Sequence, residues 1–226
     1  MSKGFIGNDG NKPKIQEAIM TEQQCYNALL AQKLISEFDR RNFEGYYCET
    51  KEDARKKALE LIPKGAVVSF GGSATLRDIG LIEALKSDQY RLLDPTSVSG
   101  AMEMDKIARQ ALSADYFLMS ANAITEQGEL VNADGYGNRV SALIYGPKNV
   151  VVIAGLNKVT PDLDSAIART KKYAARMILL KFKKDYPDFD TLDKAAKGAV
   201  SQLVVTGMST AKGRIKVILI GESVGF

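Results

Sequence analysis

The chain has 226 residues, of which 45% are hydrophobic and 26% charged, and its formal net charge is +4. This composition is typical of a globular protein with a full core, and the mild positive charge gives no reason to expect nucleic acid as a partner. No apolar run is long enough to span a bilayer and the N-terminus lacks the apolar core of a signal peptide, so we expect a cytoplasmic protein outside the membrane.

Helical and strand-like patterns alternate along the chain. In order, the sequence predicts a long helix over 13–41, a helix over 50–61, a strand over 66–70, a helix over 74–86, a strand over 90–93, a helix over 101–113 and a strand over 116–119. A polar segment rich in turn residues covers 120–139, followed by a strand over 149–154, a helix over 163–180 and a closing pair of strands over 203–205 and 215–220.

Strands separated by helices in this way indicate βαβ units. The sequence therefore predicts an α/β fold with a mostly parallel sheet and helices on both of its faces. The short loop between the last two strands predicts an antiparallel edge. We expect an N-terminal helical extension over 1–45 and a single α/β domain over 46–226. The extension carries an apolar stripe outside that domain, through which a homodimer could form.

Gly71 and Gly72 follow the strand at 66–70 and make a short turn into the next helix. Glycines permit a tight turn because they have no Cβ, and Ser73 and Thr75 can cap the helix. Free N–H groups at a helix start, with the positive end of its dipole, suit a phosphate or carboxylate. The turn is therefore predicted to bind a small anion, with a purely structural capped turn as the alternative. It is not a P-loop, because the lysine and spacing of that motif are absent.

The segment 120–139 is the second candidate, because it places carboxylates, amides and glycines directly after a buried strand. Ligands of open α/β sheets collect at the carboxyl ends of strands, so this segment and the glycine turn are predicted to face one crevice. Glu126 is the candidate nucleophile or general base, and Arg139 is a candidate for a bidentate contact to a carboxylate or phosphate. The further candidates for ligand binding are Asn122, Asn132, Asp134 and Asn138.

This segment has two other interpretations besides ligand binding. The glycines at 128, 135 and 137 can shape a β-hairpin whose turns are stabilised by Asn and Asp, and we favour the hairpin for these glycines. Residues 135–140 begin like a dinucleotide-binding fingerprint, but Val140 takes the place of its third small residue. A bulky side chain there opposes close helix–strand packing, which argues against a nicotinamide cofactor.

Two absences limit the chemistry further. The sequence has no histidine, and its two cysteines, Cys25 and Cys48, lie far apart. It therefore offers no Ser-His-Asp triad, no histidine-ligated zinc and no cysteine pair or cluster for redox or metal chemistry. We expect neither a metal nor a cofactor, and catalysis would depend on carboxylates, lysines, hydroxyls or an added metal.

Taken together, these motifs resemble those of the LUD-domain family, lactate-utilisation proteins formerly grouped as a domain of unknown function. The resemblance covers most of the chain and is carried by the segments 71–75, 78–81, 115–116, 122–126, 130–132, 134–139, 146–150, 157–159 and 213–222. It implies a three-layer α/β/α sandwich like that of the sugar-phosphate isomerase and CoA-transferase superfamily. It also implies a bacterial cytoplasmic role in the oxidation of L-lactate to pyruvate, beside iron–sulfur partners.

Some members of the family carry clustered cysteines in the region that corresponds to 181–202, and this chain has none there. An iron–sulfur cluster in this chain is therefore excluded by ligand count. By analogy with related folds, Gly71, Gly72, Ser73 and Thr75 would hold an anionic group and Glu126 would lie near the reacting carbon.

Three functions follow as alternatives. The first is a non-redox component of lactate utilisation that binds a small anionic metabolite, which could be an organic acid, a sugar phosphate or a CoA thioester. The second is an enzyme of the isomerase or acyl-CoA transferase type that uses Glu126. The third is a purely structural subunit.

Overall fold

The computed structural model describes residues 20–226. The helices are α1 (Glu22–Arg40), α2 (Lys51–Glu60), α3 (Ala74–Asp78), α4 (Leu81–Ala84), α5 (Ala101–Ala111), α6 (Asn138–Tyr145), α7 (Leu163–Arg169), α8 (Ala175–Phe182) and α9 (Phe189–Ala196). The strands are β1 (Glu44–Cys48), β2 (Val67–Phe70), β3 (Arg91–Leu93), β4 (Tyr116–Met119), β5 (Ala123–Thr125), β6 (Leu130–Asp134), β7 (Asn149–Gly155), β8 (Val159–Thr160), β9 (Gln202–Thr206) and β10 (Ile215–Ile220). Short 3₁₀ turns cover Leu156–Lys158 and Lys197–Val200, and a π-helical stretch, Thr170–Ala174, joins α7 to α8.

The main sheet has six strands in the order β1-β10-β7-β4-β2-β3, and every neighbouring pair is parallel. Alternate residues of its central strands face opposite sides. Val150 and Val152 lie in one core cluster with side chains from α1, α5 and α6, whereas Val151 and Ile153 lie in another with side chains from α2, α3 and α4. Helices therefore cover both faces, and the predicted α/β fold with a mostly parallel sheet is confirmed.

A second sheet of four strands, in the order β8-β5-β6-β9, stands beside the main one. The strands β5 and β6 form the antiparallel hairpin that the glycines of 120–139 predict. One face of the hairpin contributes Ile124 and Leu130 to the main core, and the other packs Ala123 and Val131 against Ala166 of α7. The hairpin thus holds the long α7–α8 helix against the body of the protein.

The prediction that the last two strands pair with each other is wrong. The strand β9 pairs with β6 in the small sheet, while β10 enters the main sheet between β1 and β7, parallel to both. The sequence of β10, Ile-Lys-Val-Ile-Leu-Ile, is apolar on both faces, as an interior parallel strand requires. Chain proximity suggested a hairpin, whereas burial on both faces determines where the strand lies.

The helix predicted over 13–41 is described from Glu22 onward, and residues 13–19 lie outside the described part of the chain. Its side chains Leu34 and Phe38 are fully buried in the main core, whereas Tyr26 and Leu29 are exposed. The sequence did not predict β1, the partly buried edge strand that follows. The division of the chain at residue 45 and a homodimer through α1 stay predictions. Within residues 20–226, no helix has the length and apolar character to cross a membrane.

Candidate functional site

A cleft of about 540 Å³ opens where three neighbouring strands of the main sheet end. The glycine turn follows β2, Ser120 follows β4, and Lys158 follows β7, so all three lie at carboxyl ends of adjacent parallel strands. This is the edge at which open α/β sheets bind ligands. The base of the β5–β6 hairpin, α8 and the turn after α9 form the other walls of the cleft.

The turn after β2 reaches the cleft through Gly72 and Ser73. Ser73 caps α3, because its Oγ accepts a hydrogen bond from the Leu76 N–H at 3.3 Å. Gly71 lies underneath, where an added Cβ would stand 2.6 Å from Cδ of Arg139. A glycine is required here because the Arg139 side chain approaches so closely, so Gly71 has a structural role.

Arg139 is the centre of a nearly buried polar network, with 12% of its side chain exposed. All of its N–H groups donate within the protein, and its Nε lies 3.0 Å from Asp134 Oδ1. The remaining acceptors are the side chains of Asn132 and Asn122 and the carbonyls of Ser120 and Ala133. Because no donor is spare, this guanidinium organises the wall of the cleft and is not available for the bidentate ligand contact we expected.

Three other predicted polar residues of the hairpin, Asp134, Asn132 and Asn122, belong to the same network. Asp134 also accepts from the Val140 N–H at the start of α6, through its Oδ2 at 2.9 Å. Asn122 accepts from the Ala133 N–H, and both Asn122 and Asn138 line the cleft. Asn132 is fully buried, and its Nδ2 has no hydrogen-bond partner among the described residues. These residues lie close together, as the predicted crevice requires. The hydrogen-bonding groups of Asp134, Asn132 and Asn122 are nevertheless used mainly by Arg139.

Lys158 is the residue that the sequence analysis missed. It is 3% exposed and lines the cleft, and its Nζ donates to Thr75 Oγ1 at 2.9 Å and to Ser120 Oγ at 3.1 Å. No carboxylate in residues 20–226 lies within 4.0 Å of this nitrogen. Burial, and then the positive charges of Arg169 and Arg139, lower the pKa of Lys158 to about 7, against a small opposing effect of Asp78.

A signal for Lys158 was available in the sequence. Lys158 comes shortly after the most strongly apolar predicted strand, where the topology of a parallel sheet collects ligands. Hydrophobic periodicity does not distinguish such a lysine from a solvated one, so its burial had to come from the structure.

Thr170 adds an unpaired hydroxyl to the same cleft. Its Oγ1 is buried without a hydrogen-bond partner among the described residues, and the residue begins the π-helical stretch between α7 and α8. Single π-helical turns inside helices are frequent at functional sites. A buried hydroxyl without a partner costs free energy unless something occupies the space beside it.

The far end of the cleft is apolar. It is lined by Ile178, Leu179 and Phe182 of α8 and by Val200 and Phe226. The cleft therefore combines a polar part, which contains Lys158 and Ser120, with an apolar part beside α8. Such an arrangement is typical of sites for small molecules that carry a polar group on an apolar body.

Glu126 lies outside this cleft. It is at the tip of the hairpin, at the opposite end of β5 from Asn122, and its Oε2 accepts from Lys33 Nζ of α1 at 2.7 Å. Glu126 lies four residue steps of extended chain from Asn122, which is about 13 Å at the rise of a strand. The structure thus does not bring Glu126 together with the other predicted site residues.

No group of three or more His, Cys, Asp or Glu side chains suited to a metal occurs in the part of the chain that the structure describes. The two cysteines, Cys25 and Cys48, are not bonded to each other.

The model of the LUD domain matches residues 31–220 of this sequence. The chain belongs to the LUD-domain family. A solved structure of a DUF162 family protein from Deinococcus radiodurans is similar to this chain, and DUF162 is the older name of the LUD domain. The match includes 98% of that protein and 86% of this chain, with a TM-score of 0.50 and 10% sequence identity. The predicted family is therefore confirmed, and the solved structure shares the fold.

Two further solved structures match at lower scores. Ribose 5 phosphate isomerase A from Neisseria gonorrhoeae matches over 78% of this chain and 94% of its own, with a TM-score of 0.39 and 14% identity. eIF2B delta from Chaetomium thermophilum matches over 63% of this chain and 57% of its own, with a TM-score of 0.35 and 15% identity. No curated protein matches the sequence.

Proposed function

We propose that this LUD-domain protein binds a small anionic metabolite in the cleft and serves lactate utilisation in the cytoplasm as a non-redox component. Electron transfer in that role falls to iron–sulfur partners, because this chain lacks the cysteines for a cluster. The observation that carries the proposal is Lys158, a buried lysine that lines the cleft and has no carboxylate within 4.0 Å among residues 20–226.

The electrostatics favour an anion over a neutral ligand. A buried ammonium without a counter-ion is costly, and the neighbouring Arg139 and Arg169 add charge of the same sign. An anion that enters the cleft provides the missing counter-charge and raises the pKa of Lys158 above its value in the free protein. Ligand binding near pH 7 is therefore coupled to proton uptake by the protein.

The size and lining of the cleft are compatible with the three ligand classes expected from the sequence. About 540 Å³ exceeds what a two- or three-carbon acid fills, and the apolar end beside α8 suits a hydrophobic body or chain. Organic acids, sugar phosphates and CoA thioesters all combine an anionic group with a larger body. The alternative of acyl transfer through Glu126 gains no support from its position, because that carboxylate lies at the hairpin tip with Lys33.

A thermal-shift screen of lactate, pyruvate, sugar phosphates and CoA tests the proposal. A ligand at a hundred times its dissociation constant stabilises the folded state by about 2.7 kcal/mol, which raises Tm by roughly 5–10 °C in a domain of this size. The variant Lys158→Met is the matched control and should lose the shift. A panel without any shift, or equal shifts in the variant, contradicts the proposal.

A further inference from the structure

We infer that Lys158 forms a covalent imine with the carbonyl carbon of a 2-oxo acid bound in this cleft. The inference rests on the proposed function, since it names the class of organic acid and the atom that reacts with it. It is drawn from the position of the amine, the number of its hydrogen bonds, the charges around it and the shape of the cleft.

The hydrogen bonds of Lys158 fit a neutral amine. In the described part of the chain its Nζ has two acceptors, the hydroxyls of Thr75 and Ser120. A neutral amine has two N–H groups to donate to them and keeps its lone pair unused, whereas an ammonium has a third N–H without an acceptor. Lone-pair density on a nitrogen at the wall of a cleft is what a nucleophilic lysine requires.

The surrounding charges also favour the neutral form. Arg139 on α6 and Arg169 on α7 oppose protonation, and the carboxylate of Asp134 is already paired with Arg139. Asp78 at the end of α3 acts in the other direction, but its Oδ2 accepts from the Gly225 N–H. With a pKa of about 7, about half of the Lys158 side chains carry no proton at neutral pH, against roughly one in three thousand for a lysine in water.

The cleft provides groups for the rest of a 2-oxo acid. The side chains of Ser73 and Asn138 line the cleft and can contact the carboxylate, while the apolar side chains of α8 cover the carbon chain. The donors of Arg139 are all engaged within the protein, so the carboxylate is left to the other groups.

The reaction balances without an oxidant or a further reactant. The Lys158 nitrogen attacks the carbonyl carbon and forms a C–N bond, giving a carbinolamine after proton transfer from nitrogen to oxygen. The C–O bond then breaks, and the oxygen leaves as water with the two protons that the amine has lost. The resulting C=N bond joins the lysine to the acid, and it takes up one proton when it becomes an iminium ion. Water restores the free amine by the reverse steps.

Borohydride trapping on the intact protein tests this inference. The protein is incubated with pyruvate or 2-oxoisocaproate and reduced with sodium cyanoborohydride, and the modified residue is located by mass spectrometry of its peptides. We expect labelling of Lys158 at pH 7 to exceed that of exposed Lys172 by at least about tenfold, because Lys158 lies in the cleft that holds the acid whereas Lys172 lies in solvent. Lactate, which has no carbonyl group, should give no adduct.

The outcomes separate this inference from the proposed function. Binding of the 2-oxo acid, detected by calorimetry on the unmodified protein, without an adduct on Lys158 overturns the inference and leaves the anion site in place. Equal labelling of Lys158 and Lys172 also overturns it. The absence of both binding and adduct overturns the inference, and the thermal-shift panel then decides whether the cleft binds another anion. The matched variants Lys158→Arg and Lys172→Arg complete the test, because only the first should lose the adduct. Since the labelling pattern of the unmodified protein decides the matter, a poorly folding variant does not weaken the test.

Discussion

Replacement of Lys158 by methionine should change how the stability of this protein depends on pH. The methionine side chain is unbranched and of similar length, so it can fill the space without an ionisable group. In the unfolded chain the amine is solvated and keeps its proton to high pH, whereas burial lowers the pKa of Lys158 to about 7 in the folded state. Between these two values the unfolded state binds more protons, so stability rises with pH.

The size of this pH effect on stability follows from the difference between the pKa values of Lys158 in the folded and unfolded states. Below pH 7 both states are protonated at this residue and the full penalty for the buried charge is present. From pH 7 to pH 9 the folded state has lost the proton and the unfolded state has kept it, so Lys158 contributes a gain of about 2 kcal/mol over this window. That corresponds to roughly 4–8 °C in Tm for a chain of this size.

Urea unfolding of the unmodified protein and of Lys158→Met at pH 7 and at pH 9 measures the effect. Other groups that titrate in this range are common to both proteins, so the difference between the two proteins isolates Lys158. We expect that difference to change by about 2 kcal/mol between the two pH values in favour of the lysine at high pH. Lys172→Met is the control, with no change, because its exposed ammonium stays in water. Parallel pH profiles for the unmodified protein and Lys158→Met would refute a buried, ligand-facing amine.

Further substitutions test the walls of the site. Gly71→Ala places a Cβ 2.6 Å from Arg139 Cδ and should cost about 1–3 kcal/mol in urea unfolding, and a loss below 0.5 kcal/mol would show that the arginine shifts freely. Arg139→Lys leaves Asp134 and its neighbours short of donors and should cost about 3–5 kcal/mol, with a neutral result contradicting the closed network. Glu126→Gln removes a half-exposed ion pair with Lys33, so we expect less than about 1 kcal/mol and unchanged thermal shifts by ligands. A loss of those shifts would contradict a ligand site from which Glu126 is absent.

Much of the fold could be predicted from the sequence, because apolar runs bounded by turn residues carry a strong local signal. The strand before the glycine turn and the hairpin of 120–139 both form as expected. The local sequence signal does not determine which strands pair with each other. The placement of β10 between β1 and β7 depends on contacts with distant segments, and chain proximity alone favoured the wrong partner, β9.

The site shows the same limit at the level of side chains. Sequence reasoning placed Asn122 and Ser73 at one crevice, since both follow parallel strands, and both line the cleft. It could not determine whether a polar residue faces the cleft or another side chain. Arg139 was predicted to contact a ligand, but it donates its hydrogen bonds to the hairpin. The position of Lys158 after an apolar strand indicated the right edge of the sheet, but hydrophobic periodicity did not distinguish it from an exposed lysine.

Calorimetric titration of the panel of acids and phosphates at pH 7, in two buffers with different ionisation enthalpies, tests the central claim most directly. An anion that binds beside Lys158 draws a proton onto the protein, so we predict uptake of about half a proton per site in the unmodified protein and none in Lys158→Met. Binding with no proton uptake, or with the same affinity and uptake in the variant, would contradict an anion site built on this lysine.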